Sequence, residues 1–390
     1  MNPDRTACVA PRPEVCYIVP SLEPHGATHF AHLPAFLTEV ARGCTLTVIA
    51  ERAAPDADLP GVELIVQRYG AGPRVRRMLE LIALVRRLRQ RGCERFFVRI
   101  STTAAVSLGM ARPWLGGTLY YWTSGQARNL LPPWRTEPLE RMRRELALSP
   151  LRMALRLADR VVTGPERMVG YYQRAFGVGP ERCVLMYNDV DVNRFVPTYA
   201  CADSHNLRSR FNVPKNAPLL LFVHHISYRK GCFEVAPILE RLPTEVYCLM
   251  VGDGPHLPLV RQQMDERGLI PRVRLTGALP NGDLPPIYRA ADIAIVPSHE
   301  EGCPRVVLEA MASGLPVVAY DVGGIRDLVG GRQQAFIVPR GDVIGFAAAV
   351  RTLLETPALR GALQGENLER VQRFSTPRVA ELFVQRIVRS

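Results

Sequence analysis

The first chemical signal lies in two acids and the apolar residues between them. In EEGCPRVVLEAMASGLPVV (300–318), Glu301 and Glu309 are separated by seven residues. The preceding IAIVPS reads as a strand ending at Ser298. HEEGCP is then the loop over its C-terminal end, where ligands bind in open α/β sheets. Pro304 suits the first turn of a helix, VVLEAMAS continues it, and Gly314 caps it. PVVAYD is the next strand. The helix is apolar nearly all round (Val306, Val307, Leu308, Ala310, Met311), so it should be buried, and an unpartnered carboxylate there is costly. Glu309 therefore needs a structural partner, such as an arginine from a neighbouring helix, or a ligand with hydroxyl donors, such as a ribose. The free N–H groups at the helix start, after Gly302, suit a phosphate. Glu301, on the loop, would face the same cleft.

A second signal is rarity. Lys215 and Lys230 are the only lysines among 49 basic residues. In so arginine-biased a chain, a retained lysine is a candidate point charge. The net charge of +12 raises the question of nucleic acid. Against that partner, the arginines are spread along the chain and no aromatic-basic RNA motif is present.

The elements that must position these residues alternate strand and helix throughout. VCYIVP, LTVIA (46–50), RFFVRI and GTLYYW read as strands in the first half. PLLLFVHHI, VYCLMVGD, VRLTG, IAIVPS and PVVAYD follow in the second. Leu33, Phe36, Leu37 and Val40 mark one helix face, with Pro34 at its start or at a kink. Val75, Met78, Ile82 and Val85 mark another helix over 73–91. Strands apolar on both faces and joined by helices imply parallel, doubly wound sheets. At 390 residues the chain predicts two domains. The polar, Pro-containing stretch 196–218 divides two Rossmann-like halves of α/β class facing a cleft. The expected limits are a disordered lead-in at 1–13, an N-terminal domain at 14–205, a C-terminal domain at 206–374 and a last segment at 375–390.

No apolar run reaches the length of a membrane span, roughly 18 residues. The N-terminus lacks the apolar core of a signal peptide. The nine cysteines form no CxxC pair. All three point to a cytoplasmic protein with reduced thiols.

PSHEEGCPRVVLEAMASGLPVVAYDVGGIRDLV resembles the donor-site signature of retaining glycosyltransferases of family 4, which have the GT-B fold. LFVHHISYRKG, VGDGP (251–255), VRLTGALP (273–280), LPPIYRAADIAIVPS, LADRVVTGPERM and NDVDVNRFVP are similar to that family's segments in its order. The likeness is strong from 157 onward and weak over 50–150. It implies transfer of a sugar from a nucleotide diphosphate sugar, with UDP favoured over GDP by frequency in the family. The acceptor would be a glycan, a lipid-linked molecule or a small molecule. By position, Glu309 would hold the ribose, Glu301 the donor sugar, and Lys230 the diphosphate. Gly302 and the backbone at Cys303, Arg305 and Val306 would meet the diphosphate or sugar. Leu275, Gly277 and Leu279 would pack the base, and Gly26 would approach the phosphates and acceptor. The last segment would pack its helix back on the N-terminal domain.

Two departures matter. Where the family has Gly-Arg, this chain has His224-His225, so His225 would replace the arginine, or Arg229 would reach in. Where many members carry a histidine after TLYYW, this chain reads Trp122-Thr-Ser-Gly125. Trp122, Ser124, Gln126 and His29 become the acceptor-side candidates, with no general base assigned. Of two Asp-x-Asp triplets, Asp56-Ala-Asp58 reads as a solvated turn. Asp189-Val-Asp191 lies in a segment the family uses structurally. Neither metal nor cofactor is expected. The arginine-rich stretches 73–91 and 135–160 suggest either an anionic membrane surface, hence peripheral attachment, or ordinary solvated faces. Other readings are a phosphorylase of the same fold and an inactive nucleotide-sugar-binding relative.

Overall fold

A computed structural model describes residues 12–22, 30–55, 57–125, 138–197 and 207–390. Every named strand pairs in parallel. The seven-stranded N-terminal sheet has β1 (Glu14–Leu22), β2 (Thr45–Ala53), β3 (Val62–Val66), β4 (Arg95–Arg99), β5 (Thr118–Trp122), β6 (Arg160–Thr163) and β7 (Cys183–Leu185), in the order 3-2-1-4-5-6-7. The six-stranded C-terminal sheet has β8 (Leu219–Val223), β9 (Tyr247–Val251), β10 (Val273–Gly277), β11 (Ile293–Val296), β12 (Val317–Tyr320) and β13 (Ile337–Val338), in the order 10-9-8-11-12-13. Both orders reverse direction once, between β1 and β4 and between β8 and β11. Such a switch point leaves a crevice at the strands' carboxyl ends, because the connecting loops diverge there.

Helices cover both faces of each sheet, as strands buried on two sides require. The N-terminal domain has α1 (Leu33–Ala41), α2 (Arg74–Gln90), α3 (Thr102–Leu115), α4 (Pro138–Leu157) and α5 (Glu166–Phe176). The C-terminal domain has α6 (Val235–Leu239), α7 (Leu257–Glu266), α8 (Leu284–Ala290), α9 (Arg305–Ala312), α10 (Ile325–Leu328), α11 (Val343–Glu355) and α12 (Pro357–Val371). In α1, the four spaced apolar residues are the buried ones, and the proline sits in the first turn, where its missing N–H costs nothing.

The chain crosses between domains twice, and the crossings touch. Val190 N–H donates to Phe374 O (2.9 Å), and Thr376 N–H to Val190 O (3.0 Å). Beyond them, α13 (Thr376–Phe383) and a π-helical turn at Val384–Val388 lie on the N-terminal domain. Phe383 meets Phe36 edge-on at 5.8 Å and Phe97 at 4.9 Å, inside that domain's core.

Candidate functional site

The loops leaving β8 and β11 meet over the C-terminal switch point. Three consecutive residues after β11 are each tied to the segment after β8. His299 lies 3.4 Å from Glu234, Glu300 accepts from Arg229 Nε at 2.8 Å, and Glu301 accepts from Lys230 Nζ at 2.7 Å. Backbone bonds back the side chains, with His299 and Glu300 N–H groups both donating to Arg229 O. Gly231 makes the approach possible. Its φ is +67°, and a Cβ there would lie 1.7 Å from Pro297 O.

Glu301 is the charged centre of the cluster. Its Oε1 also lies 3.2 Å from His224 Nε2, and only 6% of the residue is exposed. Burial alone would raise its pKa, but the charges and hydrogen bonds of Lys230 and His224 outweigh burial and hold the carboxyl far below its ordinary range. Lys230 gives one of its three donors to Glu301, so the others are available to an anion. Glu300 is the opposite case. Burial dominates over Arg229 and raises its pKa.

His224 is the histidine that stands against Glu301. His224 N–H donates to Val251 O at 3.0 Å, so the extended backbone runs one residue past β8. Side chains alternate along it. His224 therefore turns inward, within 3.4 Å of Ser298 Oγ, and His225 is exposed. Arg229 reaches Glu300 with its side chain half in solvent.

Glu309 lies on α9, whose residues Val307 to Ala312 are all buried. Its partner is the hydroxyl of Tyr288 on α8, which donates to Oε2 at 2.9 Å. That is a structural partner of a type not foreseen. One such bond does not offset burial, so the pKa stays raised despite the nearby arginines 305 and 194. The Arg305 side chain turns away to Asp189 (3.1 Å), leaving the start of α9 to backbone N–H groups. Leu275 and Leu279 pack partly exposed against the C-terminal core, and Gly277, at φ +72°, has open space where a Cβ would be. An apolar shelf with an unfilled glycine is a fit surface for a planar base.

The domains touch at the same loop. Asn188 Nδ2 donates to Cys303 O at 2.6 Å, and Asn188 N–H to Cys303 Sγ at 3.3 Å. Burial pushes the Cys303 thiol up to about 12, so it stays neutral. A Cβ on Gly302 would lie 1.4 Å from Ser124 O, so glycine alone lets the segment after β5 approach. Asp189 is consumed by this joint, its second oxygen accepting from Thr376 at 2.8 Å.

On the N-terminal side, Trp122 is not a cleft residue. It is 2% exposed, inside the sheet's core, with the Arg99 guanidinium 4.8 Å over its ring. Arg99, at the end of β4, is itself buried. It donates to Tyr17 Oη (3.1 Å) and Asn188 Oδ1 (2.9 Å), and its Nε finds no partner. Gly26, His29, Gln126 and Asp56 lie outside the described residues. Sequence reasoning missed Glu300, Tyr288, Asn188 and Arg99. Glu300 stood in the quoted EEG itself. The others gave no local signal, because their roles depend on contacts between distant segments.

Residues 203–369 match the family described as Glycosyl transferases group 1. The chain carries a glycosyl transferases group 1 domain. Curated relatives include a 2-deoxystreptamine glucosyltransferase of Streptomyces kanamyceticus, 31% identical over 56% of this chain and 57% of its own length. A D-inositol 3-phosphate glycosyltransferase of Xylanimonas cellulosilytica is 32% identical over 49% of this chain and 47% of its own. The chain thus spans about half the length of the curated relatives it matches. Solved structures cover nearly all of it. HepE of Anabaena, solved in complex with UDP, aligns over 95% of this chain and 98% of its own at 21% identity and TM-score 0.72. Sucrose-phosphate synthase of Thermosynechococcus elongatus aligns over 96% and 98% at 21% identity and TM-score 0.77. The fold of this chain is GT-B.

Proposed function

We propose that this chain is a retaining glycosyltransferase of family 4. It moves a sugar from a nucleoside diphosphate sugar, UDP-linked before GDP-linked, to a hydroxyl of an acceptor held against the N-terminal domain. The observation that carries the reading is Lys230, fixed by Glu301 at the switch point beside the start of α9. Breaking the bond from the sugar to the diphosphate builds negative charge on the leaving oxygens. A lysine with spare donors and a helix N-terminus stabilise that charge where it forms. Glu301, held ionised, accepts from hydroxyls of the donor sugar. Glu309 accepts from the ribose. The departing phosphate takes the acceptor's proton on the face it leaves, which retains configuration. No metal is needed for this arrangement.

The activities by which the relatives are known support a sugar donor and a small polyol acceptor. UDP in the HepE structure supports the base. A thermal-shift panel of UDP, GDP, ADP, dTDP and UMP, with and without EDTA, tests the reading. The expected result is one diphosphate winner that EDTA does not change. No shift from any of them would sink it.

The reading extends to a cytoplasmic enzyme attached to the inner face of a membrane. Each of three adjacent N-terminal helices sends apolar residues to solvent: Val75 and Leu79 on α2, Met110 and Trp114 on α3, and Met142 and Leu146 on α4. Trp114 is 85% exposed, and α2 is arginine-rich. Apolar residues among cations suit an anionic interface. Co-sedimentation with phosphatidylglycerol vesicles should fall several-fold in Trp114→Ala. Equal binding by both proteins would remove that role.

A further inference from the structure

A cavity of about 710 Å³ opens between the domains, lined on one side by His299, the residue that precedes Glu300 and Glu301. One wall is α5, with Arg167, Gly170 and Arg174, and the other is His299, Asp321 and Arg340, just beyond β13. Its two acids are already engaged. Glu166 accepts from Tyr187 Oη at 2.5 Å, and Asp321 pairs with Arg167 and Arg326. Arg174 and Arg340 make no hydrogen bond or ion pair among the described residues, although the Arg340 charge reaches the Glu300 carboxylate, so the wall carries two guanidinium groups without a direct partner, one from each domain. Gly170 sits inside α5, where glycine costs about 1 kcal/mol relative to alanine. Its missing side chain leaves room for Arg174, whose Nη1 would lie 2.9 Å from a Cβ at that position.

A guanidinium fork matches the oxygens of a phosphate or carboxylate, and a charge-assisted pair is about twice as strong as a neutral one. We propose that this cavity is an anion subsite for the acceptor, with Arg174 and Arg340 closing on a phosphate or carboxylate that the acceptor carries. The inference rests on the transferase reading of the cleft and narrows it. The acceptor is anionic rather than an amine, and holding it joins the two domains.

Calorimetric titrations, run with and without UDP, test this with D-inositol 3-phosphate, inositol, 2-deoxystreptamine and phosphatidylglycerol vesicles. The phosphate ester is expected to bind at least about tenfold more tightly than inositol or the amine. Arg174→Ala and Arg340→Ala should each weaken it about tenfold, and the double variant about a hundredfold. Binding of vesicles alone, lost in the double variant, would support the same anion subsite and identify lipid phosphate as its source. Equal affinity for ester and inositol, no binding of ester or vesicles, or anion binding unchanged in the double variant overturns the proposal. The UDP thermal shift is the separate control. Its absence in the wild-type protein counts against the donor reading, while anion binding is still scored in the titrations without UDP.

Discussion

The two switch points of this molecule are built from opposite materials. At the C-terminal one, carboxylates and cations alternate, and His299, Glu300 and Glu301 are each tied to a residue of the preceding loop. At the N-terminal one, the Arg99 cation is surrounded by a phenol, an amide, an imidazole and an indole face, with no carboxylate in ion-pair range among the described residues. The first arrangement fixes a loop before any ligand arrives, because each charge is held by a partner already in place. The second leaves charge unspent. Under the proposed function, the first suits a donor whose leaving group needs a fixed geometry, and the second offers the acceptor a positive field.

The largest break is expected from Lys230→Ala. Transfer should fall by about two to three orders of magnitude, because an electrostatic donor to the leaving group is lost. The fold should also lose about 3 kcal/mol, since Glu301 remains buried with only His224 beside it. Lys230→Met with Glu301→Gln separates the two effects. Denaturant melting should show stability largely restored while turnover stays absent. Turnover returning in the double variant would remove Lys230 from the chemistry.

Glu309 sharpens the contrast within the donor side, because it is buried with one hydroxyl rather than an ion pair. Its pKa is raised in the fold above the unfolded value of about 4.3. The folded state thus binds this proton more tightly than the unfolded one. The contribution is fully present below the unfolded value and is lost as pH rises through the raised one. A ribose diol would bond to the ionised form, so UDP affinity should rise with pH over that interval. Glu309→Gln keeps the Tyr288 bond and removes the charge. Calorimetry should find UDP affinity about ten- to a hundredfold lower and flat with pH, in a protein at least as stable as the wild type near neutral pH. Wild-type UDP affinity in this variant would end the ribose role.

Much of this was legible in the sequence. Strand and helix alternation gave two parallel sheets, because buried strands advertise themselves by being apolar on both faces. The spacing of Glu301 and Glu309 located the crevice, because a loop, a Pro304 start and an apolar helix form one continuous segment. What escaped depended on a single step of alternation or on distance. The resemblance picks out His225 by its place in a Gly-Arg pair, whereas the contact of His224 with Glu301 depends on where β8 ends, which a sequence does not give to one residue. Trp122 reads as a cleft candidate because a strand end looks alike in sequence whether its last side chain points into the core or out of it. Tyr288, Asn188 and Arg99 became visible only when segments far apart in the chain met.

The smallest effect tests whether the two switch points are independent. Asn188 links them, accepting from Arg99 with Oδ1 and donating to Cys303 O with Nδ2. Asn188→Ala removes both bonds and strands two polar partners, at a cost of about 1–3 kcal/mol. The loop keeps its Arg229–Glu300 and Lys230–Glu301 ion pairs, so KM for the nucleotide sugar should rise only about three- to tenfold. If Arg99 acts on the donor loop through this amide, Arg99→Met should raise donor KM by a similar factor, and the double variant should be no worse than either single one. Multiplying effects would instead mean that Arg99 and Asn188 act separately. A KM change for the acceptor alone, with donor KM untouched in both single variants, would show that the amide merely joins two domains whose sites work independently.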